Sequence, residues 1–177
     1  CYSSSTDSKP ATPAGKSFAE YVSENLARGA LVNVSSTHAD YTSDHVVDGQ
    51  LGDDSRWIGK RGENENWIEL DLGFAKTFRS IWIVTGWQKG TVSVADQFEV
   101  QIRSGNRWQT IPGASVTGNR QFRREILLEE AVTAQSLRVL SRSSDYFRVY
   151  EIALFKDHPE LLGSSGTANA GFGRARV

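Results

Sequence analysis

The chain has 177 residues, enough for one domain with a substantial hydrophobic core but a tight fit for two. Charged residues make up 23% and hydrophobic residues 38%, which argues against wholesale disorder. The net charge of −1 gives no reason to expect nucleic acid as a partner, and no run approaches the roughly 20 apolar residues that span a bilayer.

Residues 1–16 have the composition of a linker. Cys1 is the single cysteine, and Ser, Thr, Pro, Ala and Gly dominate the residues after it without periodicity. This arrangement is typical of a mature bacterial lipoprotein. We therefore expect an acyl or diacylglycerol anchor on Cys1 and a place on the bacterial cell envelope, on its periplasmic or extracellular face, with the outer membrane favoured. The alternative interpretation is an engineered fragment that begins at a cysteine.

A short helix is predicted over residues 17–27, as a lid on the domain or a docking helix. Gly29 suits its end. The apolar residues that recur at helical spacing are Phe18, Tyr21, Val22 and Leu26.

From Ala30 onward, short runs rich in Val, Ile, Trp and Phe alternate with clusters of Gly, Asp, Asn and Ser. Seven or eight short strands separated by turns predict an antiparallel β-sandwich or jelly roll. Gly73 is expected to end one strand in a turn. The predicted domain spans residues 17–157, and residues 158–177 form a Gly/Ala-rich tail that is flexible or becomes ordered on a partner.

Four segments carry a family resemblance through their order and spacing. They are Asn25-Leu26-Ala27-Arg28-Gly29 with Val34-Ser35-Ser36; Val47-Asp48-Gly49 leading to Asp53, Ser55 and Trp57; Trp67-Ile68-Glu69-Leu70-Asp71-Leu72-Gly73; and Arg148-Val149-Tyr150-Glu151-Ile152. The series resembles the discoidin domain, also called the coagulation factor V/VIII C-type domain, whose bacterial relatives include family 32 carbohydrate-binding modules. It covers roughly residues 25–156. The resemblance implies an all-β, galactose-binding-like jelly-roll sandwich, and the absence of the cysteine pair usual in animal members favours a bacterial member.

The resemblance also implies a structural calcium ion in the loop of residues 45–55. Calcium takes six to eight oxygen ligands, and this loop is rich in carboxylates and glycines. The donors carried over by position are the His45 carbonyl, Asp48, Asp53, Ser55, the Tyr150 carbonyl and the Glu151 carboxylate. Alternatively, Asp48-Gly49 is only a turn and Glu151 a solvated charge.

No catalytic constellation is visible in the sequence. There is no cysteine nucleophile inside the domain, and His38, His45 and His158 lack metal-binding spacing. Neither a Gly-x-Ser-x-Gly elbow nor a phosphate loop is present. We therefore predict a non-catalytic binding module.

A glycan is the expected ligand, bound by loops at one end of the sandwich. Trp87 would meet the apolar face of a sugar ring, and nearby polar groups would bind its hydroxyls. The candidate residues are His38, Tyr41, Trp87, Gln88, Asn119, Arg142, Asp145 and Tyr146. Trp87 folded back on the core and Arg142 in a structural ion pair are the competing interpretations.

The second hypothesis is a structural or adaptor lipoprotein subunit of an envelope or membrane protein complex. It would bind protein partners through its termini and sandwich face, and would contact the membrane through its lipid anchor only. Arg120, Arg123 and Arg124 form a predicted basic patch, or alternatively a solvated hairpin. Phospholipid binding, as in the clotting factors, is disfavoured because residues 86–90 offer only Trp87 as an apolar spike.

Overall fold

Seven β-strands dominate the computed structural model, which describes residues 18–87 and 93–157. The helices are α1 (Phe18–Val22) and one 3-10 helix (Ser43–Val47), and the strands are β1 (Leu31–Val34), β2 (Trp57–Ile58), β3 (Asn66–Thr85), β4 (Phe98–Ser104), β5 (Arg107–Val116), β6 (Arg123–Ser141) and β7 (Arg148–Phe155). The predicted tether, Gln88 and the predicted tail lie outside the described residues. No helix within the described ranges is long and apolar enough to cross a membrane.

Two long strands, β3 and β6, build both sheets of the sandwich. Residues 66–71 of β3 pair with β1 and with residues 136–141 of β6, whereas residues 80–85 pair with β7 and with residues 123–127 of β6. The first sheet therefore runs β1-β3-β6-β4-β5 and the second runs β2-β7-β3-β6, with every pairing antiparallel. The predicted all-β sandwich is confirmed.

The bend in β3 corrects one prediction, because the strand does not end at Gly73. The register shifts between Asp71 and Lys76, and again between Phe78 and Ser80. Gly73 has φ +82°, and its N–H donates a 2.9 Å hydrogen bond to Asp71 Oδ1. Strands that switch sheets at bulges form the corners of sandwiches, so a residue that reads as a turn instead carries the strand around a corner.

The core lies between the two sheets and consists of inward-facing aliphatic and aromatic side chains. Ile68, Ile81, Leu137 and Val139 are each 0% exposed. Each fully buried side chain of this kind stabilises the fold by roughly 1.5–3 kcal/mol. Trp57 is also fully buried and packs edge-on against Phe147, at 5.8 Å between ring centroids.

A second cluster covers the outer face of the second sheet. Tyr21 of α1 lies 5.7 Å from Trp82 and 6.1 Å from Phe155 between ring centroids, with edge-to-face geometry. The helix therefore acts as the predicted lid over a sheet whose outer face would otherwise expose a tryptophan.

The helix is shorter than the predicted range 17–27 because Asn25 redirects the chain. Its buried side chain accepts hydrogen bonds from the N–H groups of Ala27 and Leu154, both at 2.9 Å. Its Nδ2 donates to Glu151 Oε1 at 3.1 Å and to the Ile152 carbonyl at 3.2 Å. An asparagine that bonds backbone groups in this way competes with helical hydrogen bonding.

Candidate functional site

The bends in β3 and β6 bring both ends of each strand to one end of the sandwich, which we call the loop end. Backbone hydrogen bonds tie its loops together, from the N–H of His38 to the Ile58 carbonyl at 2.8 Å and from the N–H of Gly62 to the Ser144 carbonyl at 2.9 Å. The opposite end, where β3 and β6 turn between sheets, is called the corner end. The described loops of the loop end cover residues 35–42, 59–65, 86–87, 93–97, 117–122 and 142–147.

Aromatic rings converge at the loop end. His38 stacks on Tyr41 with centroids 6.5 Å apart and meets Tyr146 edge-on at 4.9 Å. Trp87 is 39% exposed beside them. We call His38, Tyr41, Trp87 and Tyr146 the aromatic cluster. All four were predicted ligand residues, and an exposed group of rings of this kind is what the apolar face of a sugar needs.

Gly86 fixes the backbone from which Trp87 projects. Its φ is +111°, and its N–H donates to the Arg148 carbonyl at 3.2 Å. A Cβ at this position would lie 3.2 Å from Val94 Cγ1. Any other residue would be strained at this φ. The hydrogen bond from Gly86 to Arg148 joins the end of β3 to the start of β7.

Arg56 lies beneath the aromatic cluster and is only 5% exposed. Its guanidinium carbon is 5.3 Å from the centroid of Tyr41, 5.7 Å from Trp87 and 5.6 Å from Tyr150. Nη1 donates to the Tyr150 hydroxyl at 3.3 Å and to the Gly86 carbonyl at 3.4 Å, while Nε has no acceptor among the described residues. A buried cation held by rings and neutral acceptors is unusual, because desolvating a charge is costly unless an opposite charge compensates it.

A second arginine stands at the rim of the same cluster. The guanidinium of Arg148 lies 4.8 Å from the centroid of Tyr146. Burial lowers the pKa of Arg148, and the positive charge of Arg56 lowers it further, against the opposing effect of Asp145. Arg61 is exposed and pairs with Asp145 at 3.7 Å. The aromatic cluster therefore lies beside Arg56 and Arg148, with Arg61 in a neighbouring loop.

Two predicted ligand residues are occupied by the protein's own groups. Asn119 is 3% exposed, and its Nδ2 donates to the carbonyls of Ala95 at 2.9 Å and Gln121 at 3.1 Å. Arg142 donates to Glu99 at 2.7 Å and to Glu65 at 3.2 Å, and the hydrogen bond that Glu99 accepts raises the pKa of Arg142. We leave both out of the candidate site, because their polar groups already hold loops and strands together.

Arg56 and Arg148 were missed as site residues by sequence reasoning. The signal was a charged residue directly before an apolar strand, as in Arg56-Trp57-Ile58 and Arg148-Val149-Tyr150. Such a position places the side chain where the strand emerges at the loop end. The segment containing Arg148 was recognised as a family motif, but the arginine was given no role.

The predicted metal loop brings together part of its donor set. Ser55 Oγ donates to Asp48 Oδ2. The Glu151 carboxylate accepts from the Gly49 N–H at 3.0 Å and from Asn25 at 3.1 Å. The His45 carbonyl accepts the Asp48 N–H at 3.4 Å, so the loop closes on itself beside β7.

Asp53 lies apart from these donors, since its Oδ1 accepts the hydrogen bond of the Tyr150 hydroxyl. Among the described residues, no three His, Cys, Asp or Glu side chains gather closely enough to hold a metal. Two carboxylates, a hydroxyl and backbone carbonyls nevertheless form an all-oxygen set, the chemistry that calcium prefers.

Glu151 is the most heavily buried charge of the metal loop, at 0% exposure. Burial is the main cause that raises the pKa of Glu151 from 4.5 to about 9, and the negative charge of Asp48 adds to it against the lowering effect of the Gly49 N–H. Burial and a neighbouring negative charge both favour the neutral carboxyl over the carboxylate, whereas a bound cation would favour the carboxylate. The Glu151 side chain therefore fits a cation site, and without a cation it holds a proton.

A shallow cleft of about 240 Å³ lies away from the loop end, on the outer face of the first sheet. Leu31, Glu69, Arg103 and Trp108 are among its lining residues. The guanidinium carbons of Arg138 and Arg103 lie 4.8 Å and 5.9 Å from the Trp108 centroid. Here the ring lies against strand side chains of its own sheet.

The two bent strands, the loop end and the metal loop define a galactose-binding-like β-sandwich. The chain belongs to the F5/8 type C domain family, whose model matches residues 32–153. None of the curated proteins compared with the chain matches it.

Solved structures with the same fold include two sugar-binding modules and one enzyme. Chitosan-binding module 1 of a chitosanase/glucanase from Paenibacillus sp. IK-5 is 22% identical, with a TM-score of 0.61 over 74% of this chain and 98% of that one. A fucose binding module from Streptococcus pneumoniae is 18% identical, with a TM-score of 0.65 over 75% and 95%. A putative alpha-L-fucosidase from Bacteroides thetaiotaomicron is 22% identical, with a TM-score of 0.65 over 77% of this chain but only 29% of that one. At these identities the likeness establishes the fold.

Proposed function

We propose that this domain is a non-catalytic glycan-binding module that holds its ligand at the loop end. The observation that carries the proposal is the contact of His38 with Tyr41 and Tyr146. Tyr41 and Trp87 in turn lie against the buried guanidinium of Arg56. Rings offer an apolar face to the C–H groups of a sugar, and guanidinium and imidazole groups supply hydrogen-bond donors for its oxygens.

Two structural neighbours support this function, since one is a chitosan-binding module and the other is a fucose binding module. The match to only 29% of the putative fucosidase is what one expects of an accessory domain beside a separate enzyme.

Glycan array screening of the whole chain, followed by affinity electrophoresis, tests the proposal. Trp87→Ala is expected to abolish binding to the array hits, because it removes the exposed ring. Trp108→Ala is the matched control, since it removes a tryptophan from the outer face of the first sheet. Equal loss in both variants, or no hit on a broad array, would contradict the proposal.

The metal loop supports a second proposal, a structural calcium ion held by Asp48, Ser55 and Glu151 with nearby carbonyls. The support is the close approach of Asp48 and Glu151, two acids that a divalent cation would hold together. Calcium would pin the loop to β7 and would carry no catalytic role. Isothermal titration of EDTA-treated protein with Ca²⁺ is expected to show one site, and Glu151→Gln is expected to remove it.

A structural or adaptor role remains the alternative, and two exposed apolar side chains favour it. Leu31 is 75% exposed and Phe74 is 67% exposed, both near Asp71 where β3 bends at the corner end. A protein partner seated there would leave the loop end open. Co-purification from the native membrane, compared between the original chain and a Leu31→Ser/Phe74→Ser double variant, tests this role. Loss of the same partner from the double variant would favour it.

The predicted basic patch of Arg120, Arg123 and Arg124 provides little support for a structural or adaptor role. Arg120 pairs with Asp96 at 3.5 Å, Arg123 lies 4.8 Å above the Trp82 ring, and Arg124 donates to Gln121. Burial lowers the pKa of Arg123. The three arginines therefore serve separate local contacts. Display on the bacterial envelope through Cys1 stays a prediction, which the intact mass of the native protein would test.

A further inference from the structure

The arginines at the loop end bear on which class of sugar the domain binds. A guanidinium lies against three of the rings there, with Arg56 against Tyr41 and Trp87 and Arg148 against Tyr146. Each distance from guanidinium carbon to ring centroid is below 6 Å, the range in which a cation is attracted to the ring. One face of each of these rings therefore already carries a cation of the protein, which lowers the attraction of the ring for a cationic sugar.

Carboxylates also stand in the loops of this end, at Asp40, Glu63, Glu65, Asp96 and Asp145, and two of them pair with arginines away from the rings, Glu65 with Arg142 and Asp96 with Arg120. Asp145 is paired with Arg61 at 3.7 Å, and Asp53 accepts the hydrogen bond of the Tyr150 hydroxyl. The acceptors that Arg56 uses, the Tyr150 hydroxyl and the Gly86 carbonyl, are uncharged, and its Nε has none among the described residues. Arg56 and Arg148 thus bring guanidinium groups directly against the rings, while the Tyr150 hydroxyl stands between Arg56 and the Asp53 carboxylate.

We infer that the loop end selects an acidic glycan, one whose pyranose ring carries a carboxylate, over neutral and cationic sugars. This inference rests on the proposed function and names its ligand class. The carboxylate would approach Arg148 and Arg61 at the rim, while the buried charge of Arg56 attracts it from beneath the rings. Guanidinium groups bind carboxylates with paired, charge-assisted hydrogen bonds, and rings that exclude water strengthen the attraction.

The inference also separates this chain from one of its structural neighbours. Chitosan carries ammonium groups on its sugar rings, and the neighbour from Paenibacillus is described as chitosan-binding. Two arginines against the aromatic cluster would repel such a ligand, so the same fold would here bind an anionic sugar instead of a cationic one.

Matched pairs of probes test the inference by titration calorimetry on the full chain. The first pair is 3′-sialyllactose and lactose, and the second is trigalacturonic acid and its methyl ester. A glucosamine trimer serves as the cationic probe. We expect the acidic member of at least one pair to bind about tenfold or more tightly than its neutral counterpart at low salt. The two pairs also distinguish a sialic acid from a uronic acid as the source of the carboxylate.

Variants assign the preference to the arginines. Arg148→Met is expected to bring the acidic and neutral affinities to within about threefold, because methionine keeps the apolar stem and removes the charge. Arg103→Met is the matched control, since Arg103 lies 5.9 Å from the Trp108 centroid, far along β4 from the loop end. Arg61→Met offers an exposed second test that does not endanger folding.

The outcomes are distinguishable from failure of the proposed function. If the array finds glycans but neutral or cationic probes bind as tightly as acidic ones, the inference is overturned and the glycan-binding proposal stands. An acidic preference that survives both Arg148→Met and Arg61→Met would also overturn it. If no glycan binds at all, both fail together.

Discussion

Two regions of this molecule place arginines against aromatic rings, and they treat the charge differently. On the outer face of the first sheet, Arg138 lies 4.8 Å from the Trp108 centroid, donates to Gln101 at 2.9 Å and faces Glu69 at 3.7 Å. At the loop end, Arg56 has rings and two neutral acceptors. The first arginine completes a network across strands, while the second is held by rings and uncharged acceptors.

The groups that already surround a guanidinium indicate whether it could gain from binding a further anion. A guanidinium that already faces a carboxylate and an amide gains little from a further anion. One held beneath exposed rings without a charged acceptor can gain a great deal. Measurements that compare matched changes in the two regions would sharpen or break this distinction.

The largest effect is expected at Glu151 of β7, whose carboxylate accepts a hydrogen bond from Gly49 in the loop of residues 45–55. Its carboxyl has a pKa of about 9 in the folded protein and 4.5 ordinarily. Between these values the folded metal-free protein holds a proton that the unfolded chain has released, so its stability falls as the pH rises from about 4.5 to about 9. The loss is on the order of several kcal/mol across that range.

Calcium should reverse this trend, because it binds the ionised carboxylate. Thermal unfolding of EDTA-treated and Ca²⁺-loaded protein between pH 5 and pH 9 would measure both effects. Glu151→Gln should flatten the pH dependence and remove the calcium effect. Metal-free protein whose melting temperature does not fall over this range would show that Glu151 is not held as a neutral acid.

Next in size is Arg138→Met on the outer face of the first sheet. The change leaves Gln101 Oε1 without its donor and Glu69 without its ion pair, which is expected to cost about 1–3 kcal/mol of unfolding free energy. Chemical denaturation would measure it, and glycan affinity should stay within about twofold of the original. A large loss of binding without a loss of stability would place the functional site on this face instead.

The same substitution at Arg56 should give the opposite pattern. Methionine fills much of the same volume between the rings, and replacing an uncompensated buried charge by an apolar group is often neutral, so we expect a change in stability of less than about 1 kcal/mol. Binding of the acidic probes should fall while the fold remains. A destabilisation larger than that of Arg138→Met would mean that Arg56 serves mainly to hold the loop end together.

The smallest effect is expected for Arg61→Ala. Its ion pair with Asp145 is 3.7 Å long, with side chains 70% and 61% exposed. Exposed pairs of this kind contribute roughly 0–1 kcal/mol, and salt screens them. We expect Arg61→Ala and the original protein to have the same denaturation midpoint within error at low and at high salt. A clearly lower midpoint of the variant at low salt would show that the ion pair orders its loop.

The sandwich could be predicted from sequence because its alternating apolar residues have a definite period, while the continuity of β3 could not. A bulge at Gly73 has the same local signals as a turn, and only pairing with residues far along the chain separates the two. Similarly, Asn25 lies within a helical pattern, and its bonds to Glu151 and Leu154 depend on a strand more than 120 residues away.

The candidate site was partly predictable for a similar reason. His38, Tyr41, Trp87 and Tyr146 stood in loops bounded by turn residues, where ligand groups are expected. Asn119 stood in such a loop too, but its amide is used to hold neighbouring backbone. Whether a polar side chain is available depends on its partners in space, which spacing along the sequence does not reveal.

The packing of α1 against the last strand has a consequence for how this domain can be attached to something else. Tyr21 contacts Phe155, and the Leu26 N–H donates to the Leu154 carbonyl at 2.9 Å, so the described domain starts and finishes in one place. That place is on the flank toward the corner end, since Phe155 pairs with Ser80 while Arg148 pairs with Ile58 near the loops. A domain whose two ends lie close together can be inserted into a loop of a longer polypeptide with little distortion of the surrounding structure. If the domain is joined to another protein at this position, its aromatic cluster faces away from that protein.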